Sequence, residues 1–150
     1  LVGETLFAER QVVVAAPDHR FAGRRCDGLR ALSAERWITF PEVAGRSEAA
    51  ARHVRRVLES AGVSDSQVLR IDSLTAQKRM VEAGFGIALM QESAIQEELA
   101  AGSLIVLDVT GLDVAVPVVL VTRRDGYLGA AARALREELR REAAVAHGAP

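Results

Sequence analysis

Asp18, His19 and Cys26 are the neighbouring side chains that could carry covalent chemistry: a thiolate nucleophile, an imidazole to deprotonate it and a carboxylate to orient the base. The surroundings argue against that use. Cys26 lies in an arginine-rich stretch with no helix N-terminus to lower its pKa, which suits a packing residue or an inert thiol. His19 reads as a turn residue, His53 as a solvated helix position beside Arg52, and His147 as part of the tail. Asp65, Asp72, Glu82 and Asp108 show no pairing suited to general acid and base work. With one cysteine and three scattered histidines, neither an intrachain disulfide nor a zinc-spaced cluster can form. No catalytic residue, metal or cofactor is expected.

Recognition chemistry is better provided for. Two helices are expected to start just after strands, where unpaired backbone N–H groups and the positive end of the helix dipole favour an anion. Thr39, Phe40 and Arg46-Ser47 stand at the first such place, and Ser73, Leu74 and Thr75 at the second. Hydroxyls and backbone donors there could hold a carboxylate. Ser47 and Ser73 also read as plain helix caps, and a cap hydroxyl that faces a cleft can serve both ends. Gly84-Phe85-Gly86 is not a dinucleotide fingerprint, because Leu89 occupies the third glycine's place and the segment follows a helix. Gly84 reads as a helix stop, while Gly86, followed by Ile87, lets backbone approach either a neighbour or a ligand.

The elements that must position these groups alternate. Gln11 to Ala16 is an apolar run closed by Pro17-Asp18 and predicts a buried strand. Leu29, Leu32 and Trp37 suggest a helical turn before a strand from Trp37 to Phe40, stopped at Pro41. A helix from Ser47 to Ala61 ends at Gly62, a strand runs from Gln67 to Ile71, and a helix capped by Asp72 or Ser73 ends at Gly84. Strands at Gly86 to Met90, Leu104 to Leu107 and Val116 to Thr122, with a helix from about Glu92 to Ala101, complete the alternation. The last helix carries Leu128, Ala131, Leu135 and Leu139 along one expected inner face. Such alternation implies βαβ crossovers and a mainly parallel sheet in an α/β protein.

Composition narrows the classes. The 150 residues are one domain's worth, 49% apolar yet only 4% aromatic, so the core must be layered from Val, Leu, Ile and Ala. Only Lys78 among 19 basic residues is lysine and asparagine is absent, which reads as the coding bias of a GC-rich, bacterial genome. A formal net charge of −1 gives no basic footprint for nucleic acid. Arg52, Arg55 and Arg56 read as a solvated helix face, the alternative being an anionic partner. The apolar runs are too short to span a bilayer, no signal peptide is visible, and a reducing, cytoplasmic setting fits. Leu1 in place of methionine suggests a fragment.

In this order the pieces resemble a known family. Pro17-Asp18-His19-Arg20-Phe21-Ala22 is similar to the "pxHPLA" segment of LysR-type transcriptional regulators, with Arg20 where proline is common. Ser73-Leu74, followed by Met80-Val81-Glu82-Ala83-Gly84-Phe85-Gly86-Ile87-Ala88-Leu89-Met90, resembles their "s...lV.aGlGIallP" segment, with Gln91 replacing the final proline. The resemblance implies the effector-binding domain of such a regulator, an α/β fold of the type 2 periplasmic-binding-protein-like kind. One lobe (residues 18–116) would be complete, and residues 1–17 and 117–150 would be the remnant of the other with its two crossing strands, Val12 to Ala16 and Val118 to Thr122. A small effector, such as an organic acid, would sit at Thr39, Phe40, Ser47, Ser73, Leu74, Thr75, Gly86 and Ile87. DNA would be bound only through an N-terminal domain absent from this chain, and the helix at Ser47 to Ala61 with the strand after it would face a second copy. The missing first-lobe elements would leave Val12 to Ala16 and the final helix under-covered, favouring self-association. Rival readings are a solute-binding receptor with the same fold and an enzyme on a related one, such as prephenate dehydratase.

Overall fold

The computed structural model describes residues 1–42, 48–124 and 126–147. In chain order the elements are β1 (Val2–Ala15), β2 (Arg25–Cys26), β3 (Trp37–Thr39), α1 (Glu48–Ser60), β4 (Val68–Arg70), α2 (Leu74–Glu82), β5 (Ile87–Gln91), α3 (Gln96–Ala101), β6 (Ile105–Val106), β7 (Asp108–Val109), β8 (Ala115–Thr122) and α4 (Ala130–His147). Short 3-10 turns at Leu29–Leu32, Asp65–Gln67 and Glu92–Ile95 join them. The main sheet has the order β4-β3-β5-β1-β6, with β8 also paired to β1. Strands β3, β4 and β5 run parallel, whereas β1 meets both β5 and β6 antiparallel. The expectation of a mainly parallel sheet is therefore corrected to a mixed one: β1 precedes the βαβ units and enters between their products in the opposite sense.

Two compact units share the chain, one from Arg10 to Val114 and the other from residues 1–9 with the segment that begins at Ala115. In the larger unit both faces of the sheet are covered, which is why its strands read as continuous apolar runs. Val13, Ala15, Trp37, Ile87 and Leu89 pack beneath Val54 and Leu58 of α1 and Ala61 just after it. Val12, Val14, Ile38, Ala88 and Met90 pack on the other side with Val81 of α2, Ile95 and Leu104. Val12 to Ala16 is thus buried throughout, contrary to the expected under-covered patch, because β5 and β6 flank it and helices lie over both faces. Gly84 follows α2 with φ +76°, and the Phe85 N–H closes on the Met80 carbonyl at 3.0 Å, so a residue with a free left-handed conformation sets where β5 can begin.

In the smaller unit β8 alternates exposed and half-buried positions, and Arg140 of α4 grips the Glu4 carboxylate with two hydrogen bonds of 2.6 Å. Leu135 and Leu139, expected on the inner face of α4, are 60% and 39% exposed. The strand before Gln11 was not expected from the sequence. Its half-buried alternation carries Glu4 and Glu9 among small and apolar residues, a weaker signal than the run that follows.

Candidate functional site

The carboxyl ends of β3, β4 and β5 lie on one edge of the larger unit's sheet, since the three strands are parallel neighbours in register. Thr39 closes β3 and its carbonyl accepts the Ile71 N–H at 2.9 Å, which carries the ladder just past β4 and brings Ser73 to the same edge. Ser73 is extended and caps α2: its Oγ accepts the Ala76 N–H at 3.3 Å. Behind it the buried Gln77 amide donates to the Ile71 carbonyl at 2.8 Å and fixes the turn between strand and helix. The N–H groups of Leu74 and Thr75, in the first turn, have no partner within the helix and project from an exposed end.

Thr39, Phe40, Ser73, Leu74 and Thr75 are accordingly gathered along the strand carboxyl ends. Ser47 lies outside the described residues. Gly86 and Ile87 are not with the others: β5 starts at Ile87 opposite Trp37, so both residues sit at the amino end of the parallel strands. Ile87 is fully buried and donates its N–H to the Arg36 carbonyl, and a Cβ on Gly86 would come within 2.5 Å of that same oxygen. Their role is packing. Gly86→Ala should cost about 1–3 kcal/mol, because a backbone atom must give way, and urea denaturation should show it as a lowered midpoint with an unchanged slope.

A groove of about 390 Å³, counted out to its open mouth, runs between α1 and the β3–β4 edge; Thr39 and Phe40 line it together with Glu42, Arg55, Glu59, Asp65 and Arg70. Its charges satisfy one another. Arg55 pairs with Glu42 at 2.7 Å and Glu59 at 3.3 Å, and Arg70 pairs with Asp65, whose carboxyl it holds below the usual range. Arg55 and Arg56 of the arginine face of α1, read as solvated, are exposed, and Arg55 makes surface ion pairs within the chain.

The residues considered for covalent chemistry are disengaged. Cys26 is buried, and burial followed by the charge of Asp108 pushes its thiol pKa up, away from thiolate. His19 accepts the Phe21 N–H at Nδ1 (3.4 Å) and turns Nε2 to Glu35 (3.3 Å), so both ring nitrogens are in local use. Among the described residues no group of three potential metal ligands comes together. Sequence reasoning missed an ion pair that the fold largely encloses. Lys78 binds the Glu98 carboxylate at 2.6 Å across α2 and α3, and the only lysine of an arginine-rich chain was its one visible signal.

Parallel strand ends beside a capped, outward-facing helix N-terminus define an α/β fold suited to holding a small ligand. The chain belongs to the LysR substrate binding domain family, whose sequence pattern matches residues 1–144. It is 32% identical over 136 residues to the RuBisCO operon transcriptional regulator of Allochromatium vinosum, covering 91% of this chain and 44% of that one. The regulatory domain of CcmR from Synechocystis PCC6803, solved in complex with 2-PG, superposes with a TM-score of 0.80 at 19% identity, over 95% of this chain and 66% of that one. The effector binding domain of QuiR, solved with shikimate, gives 0.78 at 17% identity, over 97% and 66%. The fold is the type 2 periplasmic-binding-protein-like fold, and the chain is sensor-domain sequence of a LysR-type transcriptional regulator. It spans less than half the length of the curated relative and about two thirds of the solved domains. That family is not a class of enzymes. No helix among the described residues is long and apolar enough to cross a membrane.

Proposed function

We propose that this domain senses a small organic acid at the strand carboxyl ends and, in the intact regulator, alters DNA binding and transcription through a separate N-terminal domain. The observation that carries the reading is the exposed first turn of α2, presented by Ser73 at the ends of parallel strands in a member of this family. Thr39, Phe40, Ser47, Ser73, Leu74 and Thr75 form the proposed effector set; Gly86 and Ile87 are left out as packing residues. The ligands of CcmR and QuiR named above support an acid. The effector acts only through its different affinity for two arrangements of the protein. The domain performs no catalysis, works in the cytoplasm as a homo-oligomer, and presents α1 and β4 to a second copy. Residues 18–116 form the regulatory lobe, and residues 1–17 and 117–150 carry the remnant of the other together with the two crossing strands.

A thermal-shift screen of organic acids tests the reading, since an acid at 100 times its dissociation constant adds about 2.7 kcal/mol. For a domain of this size that raises the melting temperature by roughly 5–10 °C. Leu74→Pro probes the helix end itself. Proline is tolerated at the first helical position, and the extended backbone of Ser73 accepts a following proline, so the variant deletes one N–H without breaking α2. It should bind the acid about tenfold or more weakly, with its unliganded melting temperature held. Unchanged affinity would move the site away from this helix.

A further inference from the structure

Strand alternation sorts the polar residues at the carboxyl edge of the larger unit's sheet by face. Val12 and Val14 of β1 pack on the face that Val81 of α2 covers, so Arg10, two residues before Val12, projects from that same face. Register fixes its height. Gln11 stands opposite Gln91, the last residue of β5, which sets Arg10 beside Glu92, just past the carboxyl end of that parallel strand. The first turn of α2, after the Ser73 cap, starts at this edge and on this face. One short turn borders both: Arg10 Nη2 meets the Glu92 carboxylate at 3.5 Å, and Lys78 of α2 donates to the Ala94 carbonyl at 3.2 Å.

Arg10 is loosely engaged. Its side chain is 69% exposed and that of Glu92 43%, the contact is long, and an exposed pair of this kind adds little stability. Its guanidinium can turn to another anion at small cost, unlike the ammonium of Lys78, which is enclosed against Glu98. We infer that Arg10 is a specificity-determining residue: it exchanges Glu92 for a second anionic group of the effector, so the sensor selects acids with two anionic groups over acids with one. The inference rests on the proposed effector reading, in which the first turn of α2 takes the first group. The planar fork of arginine suits a carboxylate and a phosphate alike, so dicarboxylic and phosphorylated acids share the chemistry.

Calorimetry on the whole chain tests this with two pairs: succinate against succinamate, which keeps the skeleton and loses one charge, and phosphoenolpyruvate against pyruvate. Wild type should bind the doubly acidic member of at least one pair about tenfold or more tightly than its partner, and the pair that discriminates names the source. Arg10→Gln should bring that ratio close to one. The affinity for the singly acidic member and the melting temperature should hold, since the residue is exposed. Glu92→Gln removes the competing carboxylate and should tighten binding of the doubly acidic member about two- to fivefold; an unchanged affinity there overturns the exchange. Leu74→Pro should weaken both members of a pair alike. Equal binding of the two members by wild type overturns the assignment, as does a preference that survives Arg10→Gln. If neither these acids nor any in the wider screen bind, the effector reading falls and this one with it; acids that bind without regard to the second charge sink only the role of Arg10.

Discussion

Replacing Trp37 by alanine should remove about 3–5 kcal/mol of stability, a large share of what a domain of this size possesses. Trp37 is fully buried on β3, the strand that ends in Thr39. Its ring sits in the core beneath α1 among Leu32, Val54, Leu58 and Ile87, and its Nε1–H donates to the Leu32 carbonyl at 3.1 Å. Truncation opens a cavity and removes one of the two hydrogen bonds on that carbonyl, which keeps the Glu35 N–H at 3.0 Å, so the cavity is the main cost. Trp37→Phe keeps most of the volume and loses the donor, so it should fall between wild type and alanine. Trp37 is the chain's only tryptophan, which makes circular dichroism in urea the suitable measurement. An alanine variant within 1 kcal/mol of wild type would show that β3 is not the keel of the larger unit.

The second large effect concerns Lys78. Its ammonium lies 2.6 Å from Glu98 Oε1 and donates to the Ala94 carbonyl at 3.2 Å, with the two side chains 17% and 8% exposed. Removing one partner from a buried pair leaves an uncompensated charge, and Lys78→Met should cost about 3 kcal/mol. The double variant Lys78→Met/Glu98→Leu should recover most of that loss, because two apolar groups of similar length replace the pair. The pH dependence carries a sign. Lys78, through its hydrogen bond, holds the folded Glu98 carboxyl below the ordinary glutamate value. The pair's contribution is therefore complete above the unfolded pKa and disappears as pH falls through the lower folded one. In Lys78→Met the buried carboxylate has lost its cation, and desolvation raises its folded pKa. That variant should gain stability on mild acidification where wild type loses it. Denaturant midpoints at a series of pH values would reveal the opposite slopes, and parallel slopes would refute the pairing.

Much of this architecture was legible because local chemistry and burial agree along the middle of the chain. The run from Val12 to Ala16 is apolar on both sides because both faces are covered, and Ser73 and Gly84 mark the start and stop of α2 through their own backbone preferences. Where tertiary partners decide, the sequence was mute. The direction of β1 against β5 leaves no trace in hydrophobic periodicity, and the strand ahead of Gln11 shows only a mild alternation. Gly86 was open to two readings, and the Arg36 carbonyl beneath it decided for packing. Ser73, Leu74 and Thr75 could be read as a helix start from the sequence because a cap residue there carries its own signature.

The sealed thiol of Cys26 turns the molecule into its own stopwatch. It is the sole sulfhydryl, and its raised pKa and lack of exposure shield it from a disulfide reagent while the larger unit stays closed. Labelling must then wait for an opening event. Its rate, followed with and without an organic acid, would read how firmly the ligand clasps the region around β2, with no engineered tag.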